Sequence, residues 1–374
     1  MNQNKFDLII IYLGLRYEPW AINIVKALAD EYQIGLYLVE NKKRENIKDT
    51  ESLYLEKCKE LGAVILNEGD KCSCDLMLVR QPYYREQILS HIMHIKTKKV
   101  ILTQWLNQGE SFIETLQLGA KEMWLFCRKI FINHILQHKQ DNLLNNIRLI
   151  DIEYPYKKYP AFDFSDLEID YLIALPSSVF HRDKLYLTQL NVNIQKLIES
   201  IPKDKLIFIK QHNVSDKGNS LNVSLIRTNI AKIVLKYIFK SILNVLGRKM
   251  WKGENISDYI RYNIAHNYIQ NRAISLSEKT KYHNMSIEHF LPFVKEGVIT
   301  GISTCIYHAL QQGLPVYNCD SQPFDTKSPN YDIIKEFCIQ PCDGMLEFDS
   351  NNFNLVRKSV KRNDMIDLIK KELS

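Results

Sequence analysis

Continuous apolar runs, rather than alternating ones, mark the strands in the first half of this sequence. Residues 6–13 form one such run, and residues 34–39 form the next, after a helical period over 21–32. Strands that are apolar on both faces belong to parallel sheets covered by helices, and this spacing is that of a βαβ unit. Further strands are predicted at 63–66, 75–79 and 99–103, and helices around 112–145. We therefore predict a doubly wound α/β domain over residues 1–150.

A second α/β series follows a stretch rich in proline and aromatic residues, which we interpret as a linker over 151–165. Its predicted strands are 171–175, 206–210, 298–300 and 315–318, and its predicted helices are 185–201, 287–294 and 303–312. We predict a second domain over 166–350 and a C-terminal helix over 351–374. Two Rossmann-like domains that face each other across a cleft describe the α/β architecture called GT-B.

Composition narrows the function classes. The chain has 374 residues, 45% hydrophobic and 25% charged, which is the balance of a folded protein. Its formal charge of +6 is too small to indicate nucleic-acid binding, but suits an anionic ligand or membrane surface. The eight cysteines form no CxxC motif and lack histidines at zinc-site spacing, so we expect no metal. With no export signal and no apolar run near the roughly 20 residues of a membrane span, we expect a cytoplasmic protein.

A strand-to-helix joint in the second half is the first candidate binding site. The predicted strand at 298–300 leads through Gly301 to Ser303 and Thr304, where a helix is predicted to begin. Ser and Thr cap the free backbone N–H groups of a helix start, and the same groups can bind phosphate. Taken alone, such a joint is more typical of an ordinary capped helix, so the neighbouring segments decide between the two interpretations.

Two neighbouring segments favour a ligand site. Lys210 and His212-Asn213 lie at the carboxyl end of a predicted strand, and ligands of open α/β sheets bind outside these ends. An ammonium and an imidazole there can stabilise the phosphate of a leaving nucleotide. Glu288 follows Ser286 at a predicted helix start, where a carboxylate either caps the helix or binds the hydroxyls of a ribose.

The order Lys-x-His, Ser-x-Glu, strand, Ser-Thr and helix resembles the nucleotide-binding half of bacterial sialyltransferases and Kdo transferases. These GT-B enzymes use CMP-activated sugars, and the related teichoic-acid glycerophosphotransferases use CDP-glycerol. The resemblance covers about residues 171–320 and departs at Asn213, where the His-Pro motif of these families has proline. It implies that His212, Ser303 and Thr304 contact the nucleotide phosphate and that Glu288 faces the ribose.

The catalytic base is expected in the first half, where GT-B enzymes bind the acceptor. Glu110 follows Gln108-Gly109, at a place where some sialyltransferases carry an acidic stretch before a glycine. Glu110 is either a base or nucleophile, or a residue of the first turn of a helix. Glu18, in the turn after the first strand, is the other candidate. Ser177, after the strand at 171–175, is either a cleft contact or a helix cap.

Residues 225–252 form a basic segment between His212 and Glu288. Lys232, Lys236 and Lys240 share one helical face, and Trp251 lies among basic residues at the end of the segment. Such a helix either lies on an anionic membrane surface or packs on the core with a solvated lysine face.

The leading hypothesis is a metal-independent glycosyltransferase without a cofactor, with Glu110, Glu18 and His212 as candidate catalytic residues. Its donor would be a CMP-linked ulosonic acid, Kdo or a sialic-acid-like sugar, and its acceptor a bacterial surface glycan or glycolipid. A position at the inner face of the membrane is expected if the basic segment binds lipid. The alternatives are a CDP-polyol phosphotransferase, a non-catalytic GT-B glycan-binding module and a UDP-sugar epimerase.

Overall fold

The computed structural model describes the following parts of the chain: residues 4–12, 20–38, 48–67, 69–80, 92–103, 119–125, 147–175, 184–211, 256–276, 282, 285–301, 305–319 and 362–374. Its strands are β1 (Asn4–Tyr12), β2 (Ile34–Leu38), β3 (Val64–Leu66), β4 (Cys72–Arg80), β5 (Lys96–Thr103), β6 (Glu122–Leu125), β7 (Arg148–Glu153), β8 (Ile169–Leu175), β9 (Ile207–Gln211), β10 (Ile274–Ser275), β11 (Val294–Thr300), β12 (Val316–Asn318) and β13 (Asn363–Asp364). Its α-helices are α1 (Trp20–Leu28), α2 (Lys48–Glu60), α3 (Lys184–Ser200), α4 (Ile256–Arg272), α5 (Cys305–Gln311) and α6 (Met365–Leu373).

The described strands form two parallel sheets. The first sheet has the order β3-β2-β1-β4-β5-β6-β7-β13, and the second has the order β10-β9-β8-β11-β12. In both sheets the first strand of the series lies in the middle and the chain then winds outwards in both directions, as in Rossmann sheets. The α/β fold with two Rossmann-like domains that the sequence predicts is therefore confirmed.

Burial on both faces explains why apolar runs form the central strands. In β1, Leu8 and Ile10 pack into one hydrophobic cluster, whereas Ile9 and Ile11 pack into another on the opposite face. Apolar side chains at every position stabilise a strand in the middle of a parallel sheet, because helices or loops cover both faces of the sheet. The second sheet follows the same rule, with Leu172 on one face of β8 and Ile173 on the other.

Polar side chains join the two halves. The Gln311 amide nitrogen of α5 donates to the Ile152 carbonyl of β7, over 3.3 Å. The Asn23 amide of α1 donates to the Tyr159 carbonyl, over 2.6 Å. The Trp20 and Tyr154 rings stack with centroids 5.7 Å apart. The segment between β7 and β8 thus packs against a helix of the first half.

The C-terminal end of the chain lies against the first sheet. Strand β13 pairs in parallel with β7, and the side chain of Asp364 caps α6 by accepting from the backbone N–H groups of Ile366 and Asp367. Lys370 of α6 forms an ion pair with Glu31, and Lys99 of β5 forms one with Glu372. The C-terminal helix, predicted over 351–374, begins at Met365 in the structure, because Asp364 has an extended backbone and forms its N-cap.

Two predicted helices are wrong in the described residues. Within the range 112–145, residues Glu122–Leu125 form β6, and Met123, Trp124 and Leu125 are buried. Residues 287–294 form two 3₁₀ turns, Ile287–His289 and Leu291–Phe293, before β11 begins at Val294. Pro292 lies in the second turn and lacks the N–H group that a continuous helix would need. Strand β7 was not predicted and ends at Glu153, inside the range interpreted as the linker.

Candidate functional site

The second sheet has its topological switch point between β8 and β11. These strands are neighbours, but β9 lies beyond β8 on one side and β12 lies beyond β11 on the other. Their carboxyl ends are tied together because the Thr300 hydroxyl donates to the Ala174 carbonyl, over 2.8 Å. Open α/β sheets bind ligands outside the strand ends at such a point. The sheet order thus identifies this edge as the candidate site.

The predicted residues follow the strands of this edge. Gly301 is buried directly after β11. Ser303 and Thr304 follow Gly301 in sequence, and Ser177 follows the end of β8, but all three lie outside the described residues. The roles predicted for these three residues therefore remain predictions.

Lys210 is the predicted site residue that the structure describes most fully. It lies opposite Ala174 near the carboxyl end of β9 and is only 2% exposed. Side chains alternate along a strand, so Lys210 shares a face with Phe208, which packs in the same cluster as Leu172 and Ala174. Burial lowers the pKa of the Lys210 ammonium to about 8, against an opposing effect of the Glu288 carboxylate. His212 and Asn213 lie outside the described residues.

Glu288 lies in the first 3₁₀ turn and is 6% exposed. Its Oε2 accepts a hydrogen bond from the Ser286 hydroxyl. Its Oε1 lies 3.7 Å from Nε2 of His308, within the range of an ion pair but longer than a hydrogen bond. The Ser and Glu side chains of the Ser-x-Glu motif are thus hydrogen-bonded to each other, and both carboxylate oxygens of Glu288 have a neighbouring polar group.

His308 lies on α5, all of whose residues are buried. Its ring packs against those of Tyr154 and Tyr156, with centroids 5.9 and 5.5 Å away. Burial lowers the pKa of the imidazole, whereas the Glu288 carboxylate acts in the opposite direction. A histidine with a lowered pKa is neutral at pH 7. His308 therefore faces Glu288 as a neutral ring, not as a full counter-charge.

His289 and Tyr54 bring the first half of the chain to the same place. The ring of His289 lies edge-on to those of Tyr54 and Phe162, with centroids 5.4 and 4.8 Å away. Burial, with a smaller effect of His308, lowers its pKa to about 3, so this ring is neutral as well. The hydroxyl oxygen of Tyr54, on α2, accepts a hydrogen bond from the backbone N–H of Ser286. The Ser-x-Glu turn is thus held from both domains.

The candidate catalytic carboxylates and the basic segment lie outside the described residues. Glu18 follows β1, which adjoins β4 at the switch point of the first sheet, and Glu110 follows β5. Residues 225–252 fall in the undescribed range before α4. The roles predicted for these residues remain predictions.

The described residues contain neither a candidate metal site nor a candidate membrane span. No group of three or more His, Cys, Asp and Glu side chains in the described ranges is placed to hold a metal ion. In the part of the chain that the structure describes, no helix combines the length and the apolar content needed to cross a membrane.

Sequence reasoning found Lys210, Ser286 and Glu288 but missed His308, His289 and Tyr54. The sequence feature that could indicate His308 is its position in the first turn of the helix predicted after Ser303 and Thr304. The signal for the aromatic contacts was the tyrosine-rich segment before β8, which was interpreted as a linker alone. Neither signal shows which side chains meet, because the contacts join residues far apart in sequence.

Comparison with known proteins gives matches only among solved structures. No protein-family model and no curated protein matches the sequence. A Listeria monocytogenes protein assigned as a UDP-N-acetylglucosamine 2-epimerase is 11% identical with a TM-score of 0.46, over 100% of this chain and 90% of that one. UGT2 of Phytolacca americana, complexed with UDP-2-fluoro-glucose and pterostilbene, is 8% identical with a TM-score of 0.45, over 100% and 94%. A sialyltransferase of Photobacterium phosphoreum is 9% identical with a TM-score of 0.42, over 89% and 96%. At these identities and TM-scores the matches carry no argument about ligand or reaction.

Proposed function

We propose that the protein is a GT-B glycosyltransferase that binds a nucleotide-sugar donor at the carboxyl edge of the second sheet. The observation that carries the proposal is the buried Lys210 ammonium near the end of β9, beside the β8–β11 switch point. Open α/β sheets bind ligands outside the carboxyl ends of their strands, and an ammonium at such an end can form a charge-assisted hydrogen bond to a nucleotide phosphate.

The other donor contacts follow from their positions in the chain. Ser303 and Thr304 follow β11 in sequence, and His212 and Asn213 follow β9; their side chains would bond the phosphate or the leaving group. Ser177 follows β8 in sequence and would be a further contact. Glu288 would accept hydrogen bonds from the ribose hydroxyls, because each carboxylate oxygen has more than one lone pair and the Ser286 hydroxyl occupies only one of those on Oε2.

The identities of the donor and the acceptor are also part of the proposal. The donor we favour is a CMP-linked ulosonic acid such as Kdo or a sialic-acid-like sugar, because of the Lys-x-His and Ser-x-Glu pattern. The acceptor would be a bacterial surface glycan or glycolipid, activated by Glu110 or Glu18. The basic segment at 225–252 would hold the enzyme on an anionic membrane surface.

A nucleotide panel tests the proposal. Wild-type protein is titrated by calorimetry with CMP, CDP, UDP and GDP under identical conditions. We expect one nucleotide to bind and Lys210→Met to weaken its binding roughly tenfold or more, because the variant keeps the chain volume but removes a charge-assisted contact. The control is Lys196→Met, which removes the same charge from an exposed position on α3 and should bind like wild type. Absence of binding by every nucleotide would refute the proposal.

The same panel separates the alternatives. Preference for CDP over CMP would favour transfer of a polyol phosphate, and consumption of a UDP-sugar without acceptor would favour an epimerase. Gln108, which stands where some sialyltransferases have an acid, favours the non-catalytic module. Tight CMP binding combined with release of CMP from CMP-Kdo or CMP-sialic acid in the presence of a glycan acceptor would rule that module out.

A further inference from the structure

The turn that carries Glu288 is fixed by groups from distant parts of the chain. Within the turn, the Ser286 hydroxyl donates to Oε2 of Glu288. From α5, His308 faces Oε1. From α2 of the first half, the Tyr54 hydroxyl accepts from the backbone N–H of Ser286. The ring of His289, next to Glu288 in sequence, is packed between residues of α2 and of the segment after β7. A residue of the second domain is thus oriented in part by the first.

We infer that Tyr54 and His308 are positioning residues that hold the Glu288 carboxylate for bidentate recognition of the 2′ and 3′ hydroxyls of the bound nucleotide. The inference rests on the proposed function, in which Glu288 faces the ribose. It adds that the donor must be a ribonucleotide and that selection against a deoxyribonucleotide depends on a tyrosine from the other domain.

The geometry explains why both residues are needed. A glutamate on a short 3₁₀ turn has three rotatable side-chain bonds, and only a fixed orientation of the carboxyl group presents both oxygens to a vicinal diol. Tyr54 fixes the backbone at Ser286, whose hydroxyl in turn holds Oε2. His308 restricts Oε1.

The neutral state of His308 suits this role. A protonated imidazole would form a full ion pair with Glu288 and compete with the ribose for the carboxylate. A neutral ring can direct one N–H towards Oε1 and leaves the negative charge of Glu288 available to the ligand hydroxyls. The tyrosine rings that bury His308 therefore contribute to donor recognition without contacting the donor.

The test compares ribonucleotides with deoxyribonucleotides. The dissociation constants of CMP and 2′-deoxy-CMP, and of UDP and 2′-deoxy-UDP, are measured by calorimetry for wild type, Tyr54→Phe and His308→Phe. We expect wild type to prefer the ribose form about tenfold, because the deoxy form lacks a hydrogen bond to a carboxylate. In both variants we expect the ratio to fall to about twofold, through weaker binding of the ribose form alone. His308→Gln keeps a side-chain N–H and should restore part of the ratio.

Matched controls separate positioning from general damage. His266→Phe alters a histidine that stacks on Tyr262 of α4, and Tyr171→Phe alters a tyrosine on the opposite face of the second sheet. Both should keep the wild-type ratio. If a variant at Tyr54 or His308 does not fold, Ser286→Ala removes the hydroxyl that holds Oε2 and should lower the ratio in the same way.

The outcomes are distinct. Nucleotide binding by wild type with an unchanged ratio in Tyr54→Phe, His308→Phe and Ser286→Ala overturns the positioning role but leaves the proposed function standing. Equal affinity of wild type for the ribose and deoxyribose forms also overturns the positioning role. Absence of any nucleotide binding overturns the positioning role together with the proposed function.

Discussion

A lysine ammonium that is almost completely removed from water is the most informative single residue of this chain. Lys210 lies near the carboxyl end of β9, and the Glu288 carboxylate acts on it electrostatically. Burial and the neighbouring carboxylate shift the pKa in opposite directions, and burial is the larger effect. The ammonium is therefore easier to deprotonate than an exposed lysine and is charged below about pH 8.

The pH dependence of nucleotide affinity follows from this pKa. Lys210 has a folded-state pKa of about 8, so raising the pH above 8 neutralises it before a phosphate can bind. We expect the affinity of wild type for CMP to fall by up to about tenfold per pH unit between pH 8 and 9.5, because binding then requires uptake of a proton. Lys210→Arg should hold its affinity over this range, since a guanidinium remains charged.

The control for this experiment is Lys196→Arg, which alters an exposed lysine and should follow the wild-type profile. The measurement is a series of calorimetric titrations at constant ionic strength, because phosphate binding also weakens with salt. An affinity of wild type that stays constant from pH 7 to 9.5 would show that Lys210 does not bind the phosphate as an ammonium.

At the scale of elements, the approach of β12 to β11 depends on a glycine. A Cβ atom at Gly297 would lie 2.8 Å from a ring carbon of Tyr317 and 2.9 Å from the backbone carbonyl oxygen of Pro315. The second contact is with backbone and cannot be relieved by a side-chain rotation. Gly297 therefore allows the close packing of the strand whose carboxyl end forms one side of the candidate site.

Gly297→Ala should reduce the free energy of unfolding by about 1–3 kcal/mol, the usual cost of forcing extra volume into a packed region. Unfolding in urea, followed by circular dichroism, gives the value. Lys295→Ala changes an exposed residue of the same strand and should shift stability by less than about 0.5 kcal/mol. Equal stability of Gly297→Ala and Lys295→Ala would show that β12 adjusts to the added methyl group.

The elements that could be predicted are those with a local signal. Strands β1, β2 and β8 are largely apolar runs next to turn residues, as is the end of β11 at residues 298–300, and parallel sheets bury such runs on both faces. Strand β6 has only four residues, Glu122–Leu125, and its apolar part suits a buried helix as well as a strand. Pairing with β5 on one side and β7 on the other makes this segment a strand. Pro292 was the available signal against a continuous helix over 287–294.

The candidate site could be predicted in part for the same reason. Lys210 and Glu288 were found because each follows or precedes a recognisable strand. The sequence does not indicate Tyr54 or His308, because their contacts depend on the fold: Tyr54 meets Ser286 across 232 residues, and the His308 ring packs against Tyr154 and Tyr156. No local period in the sequence encodes a contact of that range.

For the whole molecule, the contacts between the halves hold together the residues of the proposed donor site. Met365, Ile366 and Ile369 of α6 are buried against the first half, and the ion pairs of Lys370 and Lys99 lie at the margin of this contact. Burial of these apolar side chains stabilises the contact between α6 and the first half far more than the partly exposed ion pairs do. The C-terminal helix therefore connects the second domain back to the first, on which Tyr54 also lies.

We propose that the carboxyl edge of the second sheet binds the phosphate of a nucleotide, and a crystal structure of the protein with CMP would show the binding place. We expect the phosphate within hydrogen-bond distance of the Lys210 Nζ, between the ends of β8 and β11, with the ribose on the side of Glu288. A nucleotide bound elsewhere on the chain, with Lys210 still enclosed by protein groups, would refute the proposed phosphate site.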